Sequence, residues 1–236
     1  MKNLDIVYIL KEHMDPSELV YSLRSVEQNF PHRKVWFVCG QPKVLVPDGR
    51  IVHRQVGATK WERVRSSWME ICRNSDITDD FFLFNDDFFV LKPVDSFINM
   101  TDGTIGRRVR ELRERRGDSN YCRNLAESEK LLIERKCDTI SFALHVPFLV
   151  NKQNVLETLE AFDFPMFRNL YGNYNYIPYI YHPDVKIWEA GLAPTDDWDY
   201  CSTTEDTFRY GAVGQWIRKK FPTPSRFERG NPYADT

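Results

Sequence analysis

Strands and helices alternate through the first ninety residues, and this alternation most limits how the chain can fold. Leu4–Leu10 and Lys34–Cys39 are rich in β-branched and aromatic residues, as strands are. Between them, the apolar residues of Pro16–Asn29 recur at helical spacing, and Pro16 suits a first helical turn. The same patterns predict strands at Arg50–Val56 and Phe81–Phe84, with a helix at Lys60–Arg73. This order predicts an α/β fold with a largely parallel sheet flanked by helices.

Two adjacent aspartates stand between two of the most apolar runs of the chain, in "FFLFNDDFFVLKPV". Burying a carboxylate without a partner costs several kcal/mol or forces the group to take up a proton. Asn85-Asp86-Asp87 therefore lies at an exposed strand end or against a positive charge. A simple turn is the alternative, because Asn and Asp favour turns between strands. Ligands of parallel sheets bind at the carboxyl ends of the strands, which makes this segment a candidate site.

Composition narrows the class of protein. A chain of 236 residues with 42% apolar and 14% aromatic residues is globular, and its length fits one domain spanning 1–236. The net charge of −2 gives no general reason to expect a nucleic acid or an anionic membrane as partner. Five widely spaced cysteines without a Cys-x-x-Cys pair predict neither a zinc site nor a disulfide framework. The first apolar run is too short for a signal peptide or a membrane span, so a cytoplasmic location is expected.

The second half of the chain contains an unusual arginine cluster. Arg107–Arg116 has six arginines in ten residues, together with two glutamates. Such a segment is either a solvated helix with ion pairs one turn apart or an arginine patch for a phosphate-bearing acceptor. The remaining patterns predict a strand in Asp138–Val150, a helix at Gln153–Phe162, an aromatic wall or lid at Tyr171–Tyr181, and a helix that opens with the capping box Ser202–Glu205 and runs to about Lys220.

Two carboxylates at a strand end suit a hard divalent cation such as Mg²⁺ or Mn²⁺. Mg²⁺ is usually held by one or two carboxylates and by the phosphates of a substrate. An enzyme that uses a nucleotide-sugar diphosphate needs such an ion to neutralise charge on the leaving group. An acidic pair after an apolar strand is typical of nucleotide-sugar transferases of the GT-A kind.

Several segments resemble, in the same order, those of the Stealth family of sugar-phosphate transferases. This family includes bacterial capsular polysaccharide phosphotransferases and the catalytic part of the lysosomal-enzyme N-acetylglucosamine-1-phosphotransferase. The matching segments are "LDIVYIL", "YSLRSVEQNFPHRKVWFVCGQP", "FLFNDDFFVLKPV", "HVPFLVNKQNVLETL" and "FPTPSRFE". The resemblance implies a GT-A-like, Rossmann-like sheet. It also implies that residues 1–100 bind the nucleotide-sugar and that residues 101–236 carry the acceptor and catalytic half.

The resemblance implies roles for individual residues. His145 matches the histidine of the family's His-x-Pro segment, which acts at the reacting phosphate, and Arg168 stands where the family has a phosphate-clamping arginine. A lone histidine is more often structural, and Arg24 could instead pair with Glu27. The candidate catalytic residues are Asp86, Asp87, His145 and Arg168, the first two also as metal ligands, and the candidate substrate-binding residues are Arg24, Asp15, Asn85 and Lys60.

The chain also departs from the family pattern. After the first strand the family carries Trp-Val-(Asn/Asp)-Gly-x-Asp, whereas this chain reads "KEHMDP" and keeps only Asp15-Pro16. The family's second acidic motif, Asn-Asp-(Asn/Thr), has no clean match. Either Asp196-Asp197 or Ser202-Thr203-Thr204 stands in its place.

Three functions follow from these observations. The first is a transferase that uses Mg²⁺ or Mn²⁺ and moves a sugar 1-phosphate from a UDP-sugar to an acceptor hydroxyl. The second is a glycosyltransferase that moves the sugar itself, and the third is a degenerate nucleotide-sugar-binding module. Release of UMP or of UDP distinguishes the first two. The acceptor stays open among a glycan, another polymer, a protein and modified DNA.

Overall fold

The computed structural model describes residues 1–11 and 13–229. The strands are β1 (Asp5–Leu10), β2 (Val35–Cys39), β3 (Gly49–Ile51), β4 (Asp80–Phe84), β5 (Phe88–Val90), β6 (Asn99–Thr101), β7 (Phe148–Asn151), β8 (Tyr179–Tyr181), β9 (Lys186–Ile187) and β10 (Tyr200–Thr203). The helices are α1 (Ser17–Asn29), α2 (Lys60–Arg73), α3 (Ile105–Arg116), α4 (Asn120–Glu134), α5 (Lys152–Ala161), α6 (Phe167–Tyr174), α7 (Glu205–Tyr210) and α8 (Ala212–Lys220). In the described part of the chain, none of these helices is both long and apolar enough to span a membrane.

The central sheet has five strands in the order β3-β2-β1-β4-β7. The first four run parallel, and β7 pairs antiparallel with β4. The predicted α/β class with helices flanking a mixed sheet is confirmed. The sheet is only partly parallel, because its last strand comes from the second half of the chain and enters in the opposite direction.

Side chains alternate between the two faces of the sheet, as they must along a strand. Ile6 and Tyr8 of β1 pack in the apolar cluster that contains Leu23 of α1. Val7, between them, packs on the other face with Trp68 of α2. Helices therefore cover both faces, and β1 lies at the centre of the core.

A small second sheet adjoins the first, with the strand order β5-β10-β9. Helix α1 fixes β5 through polar side chains: Ser25 accepts a hydrogen bond from the backbone of Val90 at 3.0 Å, and Asn29 donates to its carbonyl at 2.8 Å. The antiparallel pair of β5 with β10, and the parallel pair of β10 with β9, then extend outward from the end of β4. This sheet brings residues near 186 and 202 to the turn that follows β4.

Two predicted strands are much shorter than the sequence indicated. The strand predicted at Arg50–Val56 ends at Ile51, which lies opposite Val38, one residue before its partner β2 ends at Cys39. The strand predicted in Asp138–Val150 forms only at its end, as β7. Before β7, the backbone N–H groups of Ile140 and Phe142 donate to asparagine side chains of α6 instead of to a strand.

The C-terminal helix is divided. Its predicted start with a Ser202–Glu205 capping box is wrong, because Ser202 belongs to β10, and the capping box is instead made by Thr204 with Thr207. Gly211 then separates α7 from α8 with an extended backbone, φ −89° and ψ 168°. The aromatic segment predicted as a wall or lid divides into the end of α6 and the exposed strand β8.

Candidate functional site

Two cavities meet at the carboxyl ends of β1 and β4. These strands are parallel neighbours, with Tyr8 opposite Phe84, so the residues that follow them lie side by side. The larger cavity has a volume of about 750 Å³ and the smaller about 460 Å³. Both are lined by Lys11 and Asp86. Asp86 therefore stands where the two cavities join.

The cavities contain most of the residues that the sequence singled out. The larger is lined by the predicted residues Lys60, Asn85, Asp86, His145 and Arg168, together with residues that include Arg63, Trp68 and Tyr121. The smaller is lined by the predicted residue Asp15 and by residues that include His13, Glu18, Glu205 and Arg209. The fold thus brings residues from both halves of the chain to one cleft.

Asn85-Asp86-Asp87 is a turn of which Asn85 and Asp86 line the cleft, whereas Asp87 lines neither cavity. It connects β4 to β5, and the Phe88 backbone N–H donates to the Asn85 carbonyl at 3.3 Å. The turn interpretation and the site interpretation of the sequence therefore do not exclude each other. The apolar runs on either side are buried strands that hold the turn in place.

Lys186 of β9 neutralises Asp87. Its ammonium group donates to Asp87 Oδ2 at 2.5 Å and to the Thr203 carbonyl, and only 8% of the lysine side chain is exposed. Ser202 donates to the same carboxylate oxygen at 3.2 Å. The other oxygen, Asp87 Oδ1, is buried and has no hydrogen-bond partner among residues 1–11 and 13–229.

Glu18 is a third carboxylate beside the acidic turn, and it accepts a hydrogen bond from the Thr203 hydroxyl at 2.6 Å. Burial, opposed by this hydrogen bond and reinforced by the charges of Asp87 and Asp86, raises the pKa of Glu18 to about 7. Burial and the neighbouring Asp87 likewise raise the pKa of Asp86. The site therefore has an excess of negative charge that Lys186 does not fully compensate.

Asp86 and Asp87 are the carboxylates that the sequence assigns to a divalent cation. Within the described residues, no three or more His, Cys, Asp or Glu side chains form a group able to hold a metal ion by themselves. Two carboxylates are, however, the set that Mg²⁺ usually takes when substrate phosphates complete its shell. Asp86 lines both cavities and is the carboxylate placed to hold such an ion, whereas Asp87 lines neither cavity and contributes a buried, unpartnered Oδ1 beside it.

Arg168 enters the larger cavity from the first turn of α6. Its Nη1 donates to the carbonyls of Leu144 and Val146 at 2.8 and 2.9 Å, and its guanidinium lies 5.3 and 5.1 Å from the ring centres of Phe88 and Phe148. Its Nη2 is buried and has no hydrogen-bond partner in the described part of the chain. Burial lowers the pKa of Arg168 to about 10, so the group is still cationic at neutral pH.

His145 lines the same cavity as Arg168 and Asp86. Its Nδ1 lies 3.4 Å from Oδ1 of Asp184, and Arg108 of α3 donates to Oδ2 of Asp184 at 2.7 Å. Burial alone would raise the pKa of Asp184, but His145 and Arg108 outweigh it and hold this pKa well below its usual range. The histidine is therefore not an isolated core residue but the end of a row of charged groups.

Two predicted substrate-binding residues have other contacts. Arg24 lines neither cavity; it donates through Nε and Nη2 to the Glu228 carboxylate at 2.8 and 2.7 Å and fastens the C-terminal segment to α1. Of the two glutamates, its partner is thus Glu228 and not Glu27. Asp15 does line the smaller cavity, where it accepts from the backbone of Ser17 at 2.9 Å and pairs with Arg209 at 2.5 Å.

The two segments considered for the second acidic motif have different surroundings. Ser202 and Thr203 lie in β10 and contact the carboxylates of Asp87 and Glu18. Asp197 lies away from the cavities, where its carbonyl accepts a hydrogen bond from Lys92 at 2.6 Å. The segment at 202–204 therefore occupies the position beside the acidic turn, with hydroxyl groups in place of carboxylates.

The arginine-rich segment is the helix α3, and its arginines fall into two sets. Arg108 points inward to Asp102 and Asp184, at 2.6 and 2.7 Å. Arg107 pairs with Glu111 one turn away at 3.1 Å, as the solvated-helix interpretation predicts. The side chains of Arg110, Arg113 and Arg115 are exposed.

Sequence reasoning missed Glu18, Asp184 and Lys186. The last two stand in "HPDVK", where Asp184 precedes the two-residue strand β9 and Lys186 begins it, and a strand this short shows no sequence pattern. Glu18 lies in the first turn of the helix that follows β1, which is where a parallel sheet places ligand-binding residues.

No protein-family model matches the chain, and no curated protein matches it either.

Proposed function

We propose that this protein is a nucleotide-sugar-dependent transferase that moves a sugar 1-phosphate from a UDP-sugar to an acceptor hydroxyl. The observation that carries this proposal is the unpartnered Nη2 of Arg168, in a cavity that Asp86 and His145 also line. A buried guanidinium nitrogen without a partner favours an anion, and guanidinium groups bind phosphate in bidentate fashion. An anion subsite, a carboxylate and an imidazole in one cavity suit phosphoryl transfer.

The larger cavity also suits a diphosphate donor by its charge. Lys11, Lys60 and Arg63 line it together with Arg168. Four cations along one cavity attract a ligand with two phosphates. The volume of this cavity, about 750 Å³, lies within the range usual for sites that enclose a small molecule.

In the proposed reaction, the acceptor oxygen attacks the phosphorus that bears the sugar. The bond from this phosphorus to the oxygen bridging the two phosphates breaks, and UMP leaves with that oxygen. His145 takes the proton of the acceptor hydroxyl, and Arg168 donates to the phosphoryl oxygens. When held by Asp86 and Asp87, Mg²⁺ or Mn²⁺ supplies neutralising charge at the leaving phosphate. Lys186 pairs with the Asp87 carboxylate and holds its orientation.

A glycosyltransferase is the second candidate, and Glu18 favours it. A carboxyl group with a pKa of about 7 beside the acidic turn is suited to remove a proton near neutral pH. In that reaction the acceptor attacks the sugar carbon, and UDP leaves with both phosphates. The third candidate is a module that binds the nucleotide-sugar without catalysing any reaction, and the experiment must distinguish it from the two transferases.

The test is to incubate the chain with a panel of nucleotide-sugars and Mg²⁺ or Mn²⁺ and to identify the released nucleotide. The proposal predicts UMP, in amounts that depend on His145 and on the metal. Release of UDP would establish the glycosyltransferase instead. Binding of a nucleotide-sugar without release of any nucleotide would leave a binding module. Arg24→Met is the control, because Arg24 is a part-buried arginine that lines neither cavity.

A further inference from the structure

His145 ends a row of charged groups that begins in the arginine-rich helix. The side chain of Asp102 is only 6% exposed, and it accepts a hydrogen bond from Arg108 Nη1 at 2.6 Å. Arg108 Nη2 donates to Asp184 Oδ2 at 2.7 Å, and Asp184 Oδ1 lies 3.4 Å from His145 Nδ1. Each group in this row is fixed by the one before it.

Asp184 is fixed by more than the arginine. The backbone N–H of Lys186 donates to its Oδ1 at 3.3 Å, so both carboxylate oxygens accept from groups of other residues. The side chains of Arg108 and Asp184 are 12% and 21% exposed. The carboxylate therefore cannot rotate away from the imidazole without losing two hydrogen bonds.

We infer that Asp184 is a positioning residue that holds His145 with its proton on Nδ1 and leaves Nε2 as the nitrogen that accepts a proton in the cavity. An ionised carboxylate can only accept hydrogen bonds, so the imidazole nitrogen beside it must donate. A neutral imidazole has a single N–H, and its other nitrogen then carries a lone pair. The catalytic use of this tautomer rests on the proposed function, whereas the tautomer itself does not.

The position of the imidazole proton decides between two roles for His145. A histidine at a reacting phosphate acts either as a base for the acceptor hydroxyl or as a donor to the phosphoryl oxygens. With the proton held on Nδ1, a neutral His145 presents a lone pair to the cavity and acts as the base.

Asp184→Asn is the decisive variant because it keeps the shape of the side chain. Arg108 only donates, and its 2.7 Å contact binds the amide oxygen of the variant. The 2.7 Å contact with Arg108 outweighs the longer 3.3 Å contact from the Lys186 backbone, so the amide NH₂ group faces His145, where it requires an accepting Nδ1. The substitution therefore moves the histidine proton to Nε2.

The tautomer is read by ¹⁵N NMR of histidine-labelled protein at alkaline pH, with His145 assigned from the spectrum of His145→Gln. The wild-type protein should show a protonated Nδ1 and an unprotonated Nε2, and Asp184→Asn should exchange the two. His32 is the internal control, since its Nδ1 lies 2.7 Å from the Phe30 carbonyl and must donate in both proteins. A wild-type His145 protonated on Nε2, or a variant without a change, would overturn the inference.

The kinetic consequence is measured separately. Asp184→Asn should lower kcat for nucleotide release roughly 10²–10⁴-fold, the usual loss for a missing general base, with the affinity for the nucleotide-sugar unchanged. Asp118→Asn is the control, because Asp118 pairs with arginines at the surface. Wild-type kcat in an Asp184→Asn protein whose tautomer has changed would overturn the positioning role. If the wild-type chain releases no nucleotide, the proposed function fails, and the NMR result still decides the tautomer.

Discussion

The ammonium group of Lys186 lies 2.5 Å from the Asp87 carboxylate, although the two residues are 99 positions apart in the chain. Only 8% of the lysine side chain and 17% of the aspartate side chain are exposed. The contact exists because β9 and β10 extend the short strand β5 that follows the acidic turn. A nearly buried ion pair of this kind leaves a costly unpaired charge when one partner is removed.

Lys186→Met should therefore lower the free energy of unfolding by about 3 kcal/mol, since Asp87 keeps its charge without a counter-ion. Urea unfolding measures this loss. The matched control is Lys92→Met, because Lys92 pairs with Asp199 at 3.1 Å with 40% and 56% of the two side chains exposed. The control should cost less than about 1 kcal/mol. Equal losses in the two variants would show that the Lys186 pair is an ordinary surface contact.

Glu18 should make stability depend on pH. Its pKa is raised from 4.5 to about 7 on folding, so the folded chain holds a proton that the unfolded chain releases between these values. The contribution of this group is therefore greatest below pH 4.5 and is lost as the pH rises through 7. Glu18→Gln keeps an oxygen that can accept from Thr203 but does not titrate.

Relative to this variant, wild-type protein should lose up to about 3 kcal/mol of unfolding free energy as the pH rises from 4.5 to about 7. Urea unfolding at a series of pH values gives the difference. Mg²⁺ should reduce the loss, because a cation at the acidic turn favours the ionised carboxylate. Parallel stability profiles for the two proteins would contradict the raised pKa.

Arg168→Met should weaken binding of the nucleotide-sugar roughly 10- to 150-fold, the loss expected when a charged hydrogen-bond donor is removed. Isothermal titration with a UDP-sugar measures the dissociation constant. Arg24→Met should lower stability through loss of the Glu228 pair and leave this constant unchanged. If both variants bind as well as wild type, Arg168 is not a phosphate ligand.

The exposed face of α3 should bind phosphate-bearing acceptors. The triple variant Arg110→Gln, Arg113→Gln and Arg115→Gln should weaken binding of a short polyphosphate, because these side chains are exposed and positively charged. Its unfolding free energy should change by less than about 1 kcal/mol. Arg108→Gln, in contrast, should destabilise the fold, since it leaves the buried Asp102 without its closest cation. Unchanged polyphosphate affinity in the triple variant would make α3 simply a solvated helix.

The sequence predicted the features that depend on local pattern. The helix at Lys60–Arg73 is confirmed, and β1, β2 and β4 lie within a residue of their predicted ranges, because apolar spacing and Pro or Gly at the ends act over a few residues. The acidic turn at the carboxyl end of β4 followed from the parallel order of the strands.

The sequence did not predict the pairings that complete the site. Lys186 and Ser202 reach Asp87 through β9 and β10, strands of two and four residues that are too short to show a period. Asp184 meets His145 across 39 positions. Arg24 pairs with Glu228 rather than with the nearby Glu27, because the C-terminal segment packs against α1. Such contacts depend on the whole chain and not on any one segment of it.

The fate of the donor's second phosphate shows whether the chain transfers a sugar phosphate or the sugar alone. The chain would be given a UDP-sugar labelled with ³²P in the phosphate next to the sugar, with Mn²⁺ and with water as the acceptor. Transfer of a sugar phosphate should give labelled sugar phosphate and unlabelled UMP. Both products should be lost in Asp86→Asn, because this substitution removes the carboxylate that lines both cavities. Label that stays in UDP, or equal turnover by wild type and Asp86→Asn, would contradict the account.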